Sequence, residues 1–209
     1  MTSAVAGAGR PVPAARRALL CIGASTGGIA VLDRILPALP ADCPPVLVVQ
    51  HILDNFIDGL VRRLDGLCAA RVRVAADGAA IERGTIYIAP GDGRHLVVDA
   101  TGSHCHLVEG PPVKGHRPSV DALFLSVAAV PRPVAAALLT GMGSDGAEGL
   151  RAIRRAGGLT IAQDAESCTV YGMPRAAVEL GAVARVLPPD RIAAALLEVG
   201  ASPGRQAAG

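Results

Sequence analysis

"ALLCIGASTGGIA" (residues 18–30) runs from an apolar segment straight into a serine framed by glycines. The run up to Ala24 is short, apolar and closed by a turn signal, as in a strand buried on both faces. From Gly27 the spacing changes. In "GGIAVLDRILPAL" (27–39) the apolar positions 29, 32, 35, 36 and 39 follow a helical period. A strand, a glycine-rich turn and a helix in this order point to an α/β fold. They also raise a question about Ser25. The glycines either let a backbone loop wrap a phosphate or let Ser25 stand up as a nucleophile.

Outward from that stretch the same unit recurs. "PPVLVVQH" (44–51), "PVAAALLTGMGSDG" (133–146) and "LTIAQD" (159–164) read as further buried strands. "NFIDGLVRRLDGLCA" (55–69), "RPSVDALFLSVAAV" (117–130), "AEGLRAIRRAG" (147–157), "PRAAVELG" (174–181) and "PDRIAAALLEV" (189–199) read as helices. Pro37 should end or kink the first helix, Ser119 should cap the helix at 117–130, and Gly157-Gly158 should stop the one at 147–157. "ARVRVAAD" (70–77) alternates like a half-exposed strand. The short runs between turn residues in 84–110 predict a hairpin or meander. The expected architecture is a single doubly wound α/β domain over 18–199. Its sheet is mostly parallel and flanked by helices, with a small antiparallel hairpin insert. Residues 1–17 are expected to form a disordered extension and 200–209 a flexible tail.

Composition removes several functions. Aromatics are 2% of 209 residues and Trp is absent, which argues against a single-strand nucleic-acid binder, since that needs stacking platforms. A net charge of +2 gives no strong electrostatic footprint for nucleic acid. No apolar stretch is long enough for a membrane span, and residues 1–17 lack the apolar core of a secretory signal. The five cysteines are scattered without CxxC spacing, which fits reduced thiols and a cytoplasmic setting.

In open α/β sheets ligands gather beyond the carboxyl ends of the strands. Three polar residues stand there: Ser25 after "ALLCIGA", His51 after "VLVVQ" and Asp145 after "AAALLTGMGS". A serine needs a base, an imidazole can serve as one, and a carboxylate can orient the imidazole. "GASTG" also fits the G-x-S-x-G elbow, although the order Ser, His, Asp differs from that of the α/β-hydrolases. Thr26 N–H, directly after the serine, suits an oxyanion donor. Other readings stay open. The turn could be a phosphate cradle, although it is neither G-x-G-x-x-G nor a Walker A pattern and has no nearby Lys. The fold could be a binding module without chemistry. Asp145 could simply cap the helix at 147–157. "HCH" (104–106) offers two histidines on one strand face with no third ligand nearby, so no metal is expected. His95 and His116 read as surface or cleft-wall residues, and Cys21 as core.

Longer motifs carry a resemblance: "IGASTGG", "LPADCPPVLVVQH", "IYIAPGD", "GPPVKGHRPSVDALF", "LLTGMGSDGAEGL" and "TIAQDAESCTVYGMPRAAVELGAV". In this order they resemble the catalytic domain of the chemotaxis protein-glutamate methylesterase (CheB) family across about 18–199. The resemblance implies Ser25 as nucleophile, His51 as base and Asp145 as acid, with the Met142 N–H as second oxyanion donor. It implies hydrolysis of glutamate γ-methyl esters on chemoreceptor cytoplasmic helices with release of methanol, glutamine deamidation as an associated activity, and no cofactor. Family members typically carry a receiver domain. Here 17 unpatterned residues precede the first strand, so the expectation is no phospho-control in cis, with a separate response-regulator protein as the alternative gate. Two further departures are an extra residue in "PGDGRHL" and Lys114-Gly115 where Asn-Arg is usual.

Overall fold

In the computed structural model, residues 18–199 are described; the expectations for 1–17 and 200–209 lie outside them. The chain runs β1 (Leu19–Ala24), α1 (Gly28–Ile35), a 3-10 turn (Leu36–Ala38), β2 (Val46–Gln50), α2 (Asp54–Leu67), β3 (Arg71–Val74), β4 (Thr85–Ile88), β5 (His95–Val98) and β6 (Cys105–Val108). It continues α3 (Val120–Ala128), β7 (Val134–Leu138), α4 (Ala147–Arg155), β8 (Leu159–Gln163), α5 (Met173–Glu179), β9 (Arg185–Leu187) and α6 (Pro189–Leu197). Pro37 does end α1, which tightens into the 3-10 turn there. The Ser119 side chain accepts from Ala122 N–H and caps α3.

Seven strands form one parallel sheet in the order β3-β4-β2-β1-β7-β8-β9. Alternation along β1 shows why both faces are covered. Leu20, Ile22 and Ala24 point into one core with α1, α2 and α6, whereas Leu19 and Cys21 point into a second with α3, α4 and α5. Such strands read as unbroken apolar runs because neither face meets water. The antiparallel pair β5-β6 packs Leu96, Val98 and Cys105 onto the second core.

Two expectations for strands need correction. The run at 84–110 is not one hairpin: its first strand, β4, lies in the main sheet between β3 and β2, and only β5 and β6 pair antiparallel. "TIYI" is buried at every position, which is the mark of a parallel interior strand rather than a half-exposed hairpin arm. β9 was not expected. It is three residues long, largely exposed and on the sheet edge, so no apolar period announces it.

The order of the sheet fixes the crevice. From β1 the chain builds outward on one side through β2 to β4, then returns to β7 on the other side of β1. The loops after β1 and β7 therefore diverge at a topological switch point, where open α/β sheets bind their ligands.

Candidate active site

Ser25 and His51 continue neighbouring strands at the same level. Ala24 pairs with Gln50 in register, and His51 N–H donates to Ala24 C=O at 3.0 Å. Two buried polar side chains fasten these ends. Gln50 Nε2 donates to Ser25 C=O at 2.9 Å and to His51 C=O at 3.0 Å. Across the crevice Ser25 N–H donates to Thr140 C=O at 3.0 Å, and Thr140 Oγ1 donates to Thr26 C=O at 3.0 Å. The loop after β7 lies so close that a Cβ on Gly141 would stand 2.6 Å from Ser25 Cβ. Met142, next in that loop, is therefore beside the serine turn, with its side chain 68% exposed. Thr26 N–H and Met142 N–H take no acceptor among the described residues.

Asp145 is fully buried and accepts four hydrogen bonds. Oδ1 receives Ser119 Oγ–H at 2.7 Å and Asp121 N–H at 3.0 Å; Oδ2 receives Val120 N–H at 2.8 Å and His51 Nε2–H at 2.9 Å. Burial pushes the carboxyl up, but the bonds from His51, Asp121, Ser119 and Val120 outweigh it and hold Asp145 below the ordinary carboxylate value. An ionised carboxylate only accepts, so the imidazole proton sits on Nε2 and Nδ1 carries the free lone pair. His51 Nδ1 is buried and has no hydrogen-bond partner among the described residues. The capping alternative for Asp145 fails in its original form. Gly146 precedes α4 without a side-chain cap, and Asp145 instead holds the first N–H groups of α3.

Of the five residues singled out in the sequence, His51 and Asp145 are in direct contact, whereas Thr26 and Met142 flank Ser25 with unpaired N–H groups. Ser25 Oγ makes no hydrogen bond to His51 in this structure. The two histidines of "HCH" go to separate carboxylates, His104 to Asp99 at 3.0 Å and His106 to Asp77 at 3.3 Å. Burial pushes all five thiols up, Cys68 and Cys168 to about 11 and Cys105 to about 12, so none offers a thiolate near neutral pH. No helix among the described residues is long and apolar enough to cross a membrane.

The CheB methylesterase family model matches residues 20–196. The chain belongs to the CheB methylesterase family. It is 52% identical over 187 residues to protein-glutamate methylesterase/protein-glutamine glutaminase 2 of Cereibacter sphaeroides, covering 88% of this chain and 51% of that protein. It is 51% identical over 169 residues to the enzyme of that name numbered 1 in Caulobacter vibrioides, covering 80% of this chain and 49% of that one. The chain thus spans about half the length of these relatives. The Thermotoga maritima CheB methylesterase catalytic domain superposes with a TM-score of 0.82 at 38% identity, covering 86% of this chain and 97% of that one.

This CheB-family cleft also contains Gln50 and Ser119, to which the sequence reading gave no part in the site, and His116, which it read as a surface or cleft-wall residue. The His116 ring stacks on His51, centroids 3.8 Å apart and planes 8° from parallel. Ser119 and Gln50 hold Asp145 and the two strand ends. The strand-end criterion would have found Gln50 and Thr140 had it been applied to every polar residue closing a buried run. His95, expected as a surface or cleft-wall residue, is buried: its Nδ1 accepts Ser119 N–H at 3.2 Å and its Nε2 donates to Pro111 C=O at 3.1 Å. The "PGDGRHL" loop folds back through Arg94 Nε to Asp92 at 2.9 Å, and Gly93 packs near the Arg117 guanidinium.

Proposed function

We propose that the chain is a serine hydrolase that removes methyl groups from glutamate γ-methyl esters on the cytoplasmic helices of methylated chemoreceptors. Ser25 is the nucleophile, His51 the base and Asp145 the orienting acid. The observation that carries this reading is the state of His51. One nitrogen donates to a buried carboxylate, and the other is a desolvated, unpartnered base beside the strand end that bears Ser25. Catalytic hydrogen bonds are often long before substrate arrives and tighten in the reacting complex, so the open Ser25–His51 link is compatible with it.

The steps balance. Ser25 Oγ attacks the ester carbonyl while its proton passes to His51 Nδ1. The imidazolium is stabilised by Asp145, whose pKa is held low. Thr26 N–H and Met142 N–H receive the oxyanion, each such donor contributing about 3–4 kcal/mol to the transition state. Nδ1 returns the proton to the departing methoxide, which leaves as methanol. Water then hydrolyses the acyl-enzyme by the same proton path in reverse. A glutamine side chain would react identically with ammonia leaving, which supports glutaminase activity as a second outcome of one site. Five unpaired thiols suit a cytoplasmic site of action. Gating by a response-regulator protein belongs to this proposal on family resemblance.

Ser25→Ala should lower methanol release from methylated receptor by about 10⁴-fold or more while the protein stays folded. A serine-directed organophosphate should add one adduct, mapped by mass to Ser25. Full turnover in Ser25→Ala would reject the assignment.

A further inference from the structure

We propose that Lys114 is a positioning residue: it straps the turn bearing His116 across the cleft and so fixes the His51 imidazole. This inference rests on the catalytic reading of His51 given above.

Val113 and His116 exchange backbone hydrogen bonds of 3.0 and 2.9 Å, closing a tight turn. Its central residues both have positive φ, Lys114 at 49° and Gly115 at 82°. This is the pattern of a type I′ turn, which Gly accepts freely and a lysine adopts against a cost of about 1–2 kcal/mol. Lys114 is the one non-glycine residue so held among the described residues. Strain of this kind persists where surrounding contacts over-determine it. The contacts here are two. Lys114 Nζ donates to Ser144 C=O at 3.0 Å, directly before Asp145, and pairs with the buried Asp121 carboxylate at 2.9 Å. Asp121 belongs to the α3 terminus whose N–H groups hold Asp145. One ammonium thus ties the His116 turn to both supports of the carboxylate that His51 donates to. Asp145 fixes His51 at one ring nitrogen, which leaves rotation about that bond free. The stacked His116 ring covers a face and removes that freedom. Neither partner alone sets the plane in which Nδ1 points.

Lys114→Met retains the stem and removes both ammonium contacts. With p-nitrophenyl acetate as substrate, kcat should fall about 10- to 100-fold, the range for sub-ångström misplacement of a catalytic group, with KM changed less than about twofold. Lys114→Arg, which keeps the donors, should recover most of the loss. In NMR spectra the His51 ring protons should lose the ring-current shift of a stacked neighbour in Lys114→Met, as in His116→Ala. Because Lys114→Met leaves Asp121 buried without its cation, the double variant K114M/D121N separates stability from positioning. It should regain thermal stability and remain slow. Wild-type kcat in a folded Lys114→Met, or unchanged His51 ring resonances, would overturn the proposal. A wild-type protein without esterase turnover would instead overturn the functional reading, and the NMR comparison, which needs no turnover, still decides the strap.

Discussion

His116 has a pKa below the ordinary histidine value, first because it is half-buried and then because it faces His51; Asp145 pulls weakly the other way. A base whose folded pKa is depressed favours the fold while neutral. Its contribution is complete above about 6.5 and is lost as pH falls through the lower folded value. His116→Phe keeps a stackable ring that cannot ionise. Urea denaturation at pH 7.5 and pH 5 should therefore show a smaller acid-induced loss of stability in His116→Phe than in the wild type. Equal losses would show that His116 does not carry this dependence. The sequence could not assign His116 this place. Ser25 and His51 were legible because each directly follows a buried strand, and Asp145 because it lies in the turn that follows the buried run of β7. His116 reaches the cleft through a turn whose path depends on Lys114 meeting Asp121 and Ser144, contacts remote along the chain. Ser119 was legible only as a helix cap; that its hydroxyl also donates to Asp145 needed the packing of α3 against the β7 loop.

Among the elements, β1, the turn and α1 act as one device. Gly27 sits at φ 79°, and a Cβ there would stand 2.2 Å from Thr169 Oγ1 and 2.5 Å from Thr169 Cβ. The turn is thus pressed between its own helix and the loop after β8, which keeps Ser25 at the mouth of the crevice. Gly27→Ala should destabilise the fold by more than the roughly 1–2 kcal/mol of a left-handed residue alone, because the clash adds to it. Thermal melts give the stability change, and the acylation rate of Ser25 by the organophosphate should fall in parallel. An alanine variant with wild-type melting and acylation would mean that the turn tolerates displacement. Element types were readable wherever the apolar period was long, as in α1 or β2. β4 and β9 were not. Four residues of "TIYI" carry no period that separates an interior strand from a hairpin arm, and β9 depends on Ile161, Ala162 and Gln163 for its pairing.

On the scale of the whole molecule, Asp145 joins parts that the chain keeps far apart: the end of β2 through His51, the start of α3 through Ser119, Val120 and Asp121, and the loop after β7 that carries it. One carboxylate therefore serves both fold and proposed chemistry, and the two roles separate experimentally. Asp145→Asn presents an amide NH₂ where a donor now meets an acceptor. Each donor so orphaned costs about 1–3 kcal/mol. Ser25→Ala touches none of these bonds and should unfold at the wild-type urea midpoint while losing activity. Asp145→Asn should lose both. The pH dependence gives the sign. Despite burial, the hydrogen bonds keep the folded carboxyl below its ordinary value of about 3.9, so its stabilisation is complete above that pH and fades as acid approaches the folded value. The stability gap between wild type and Asp145→Asn should thus be constant from pH 7 to 5 and narrow below about pH 4. A gap that stays open in acid would mean that the shape of the side chain, rather than its charge, holds α3 and β2 together.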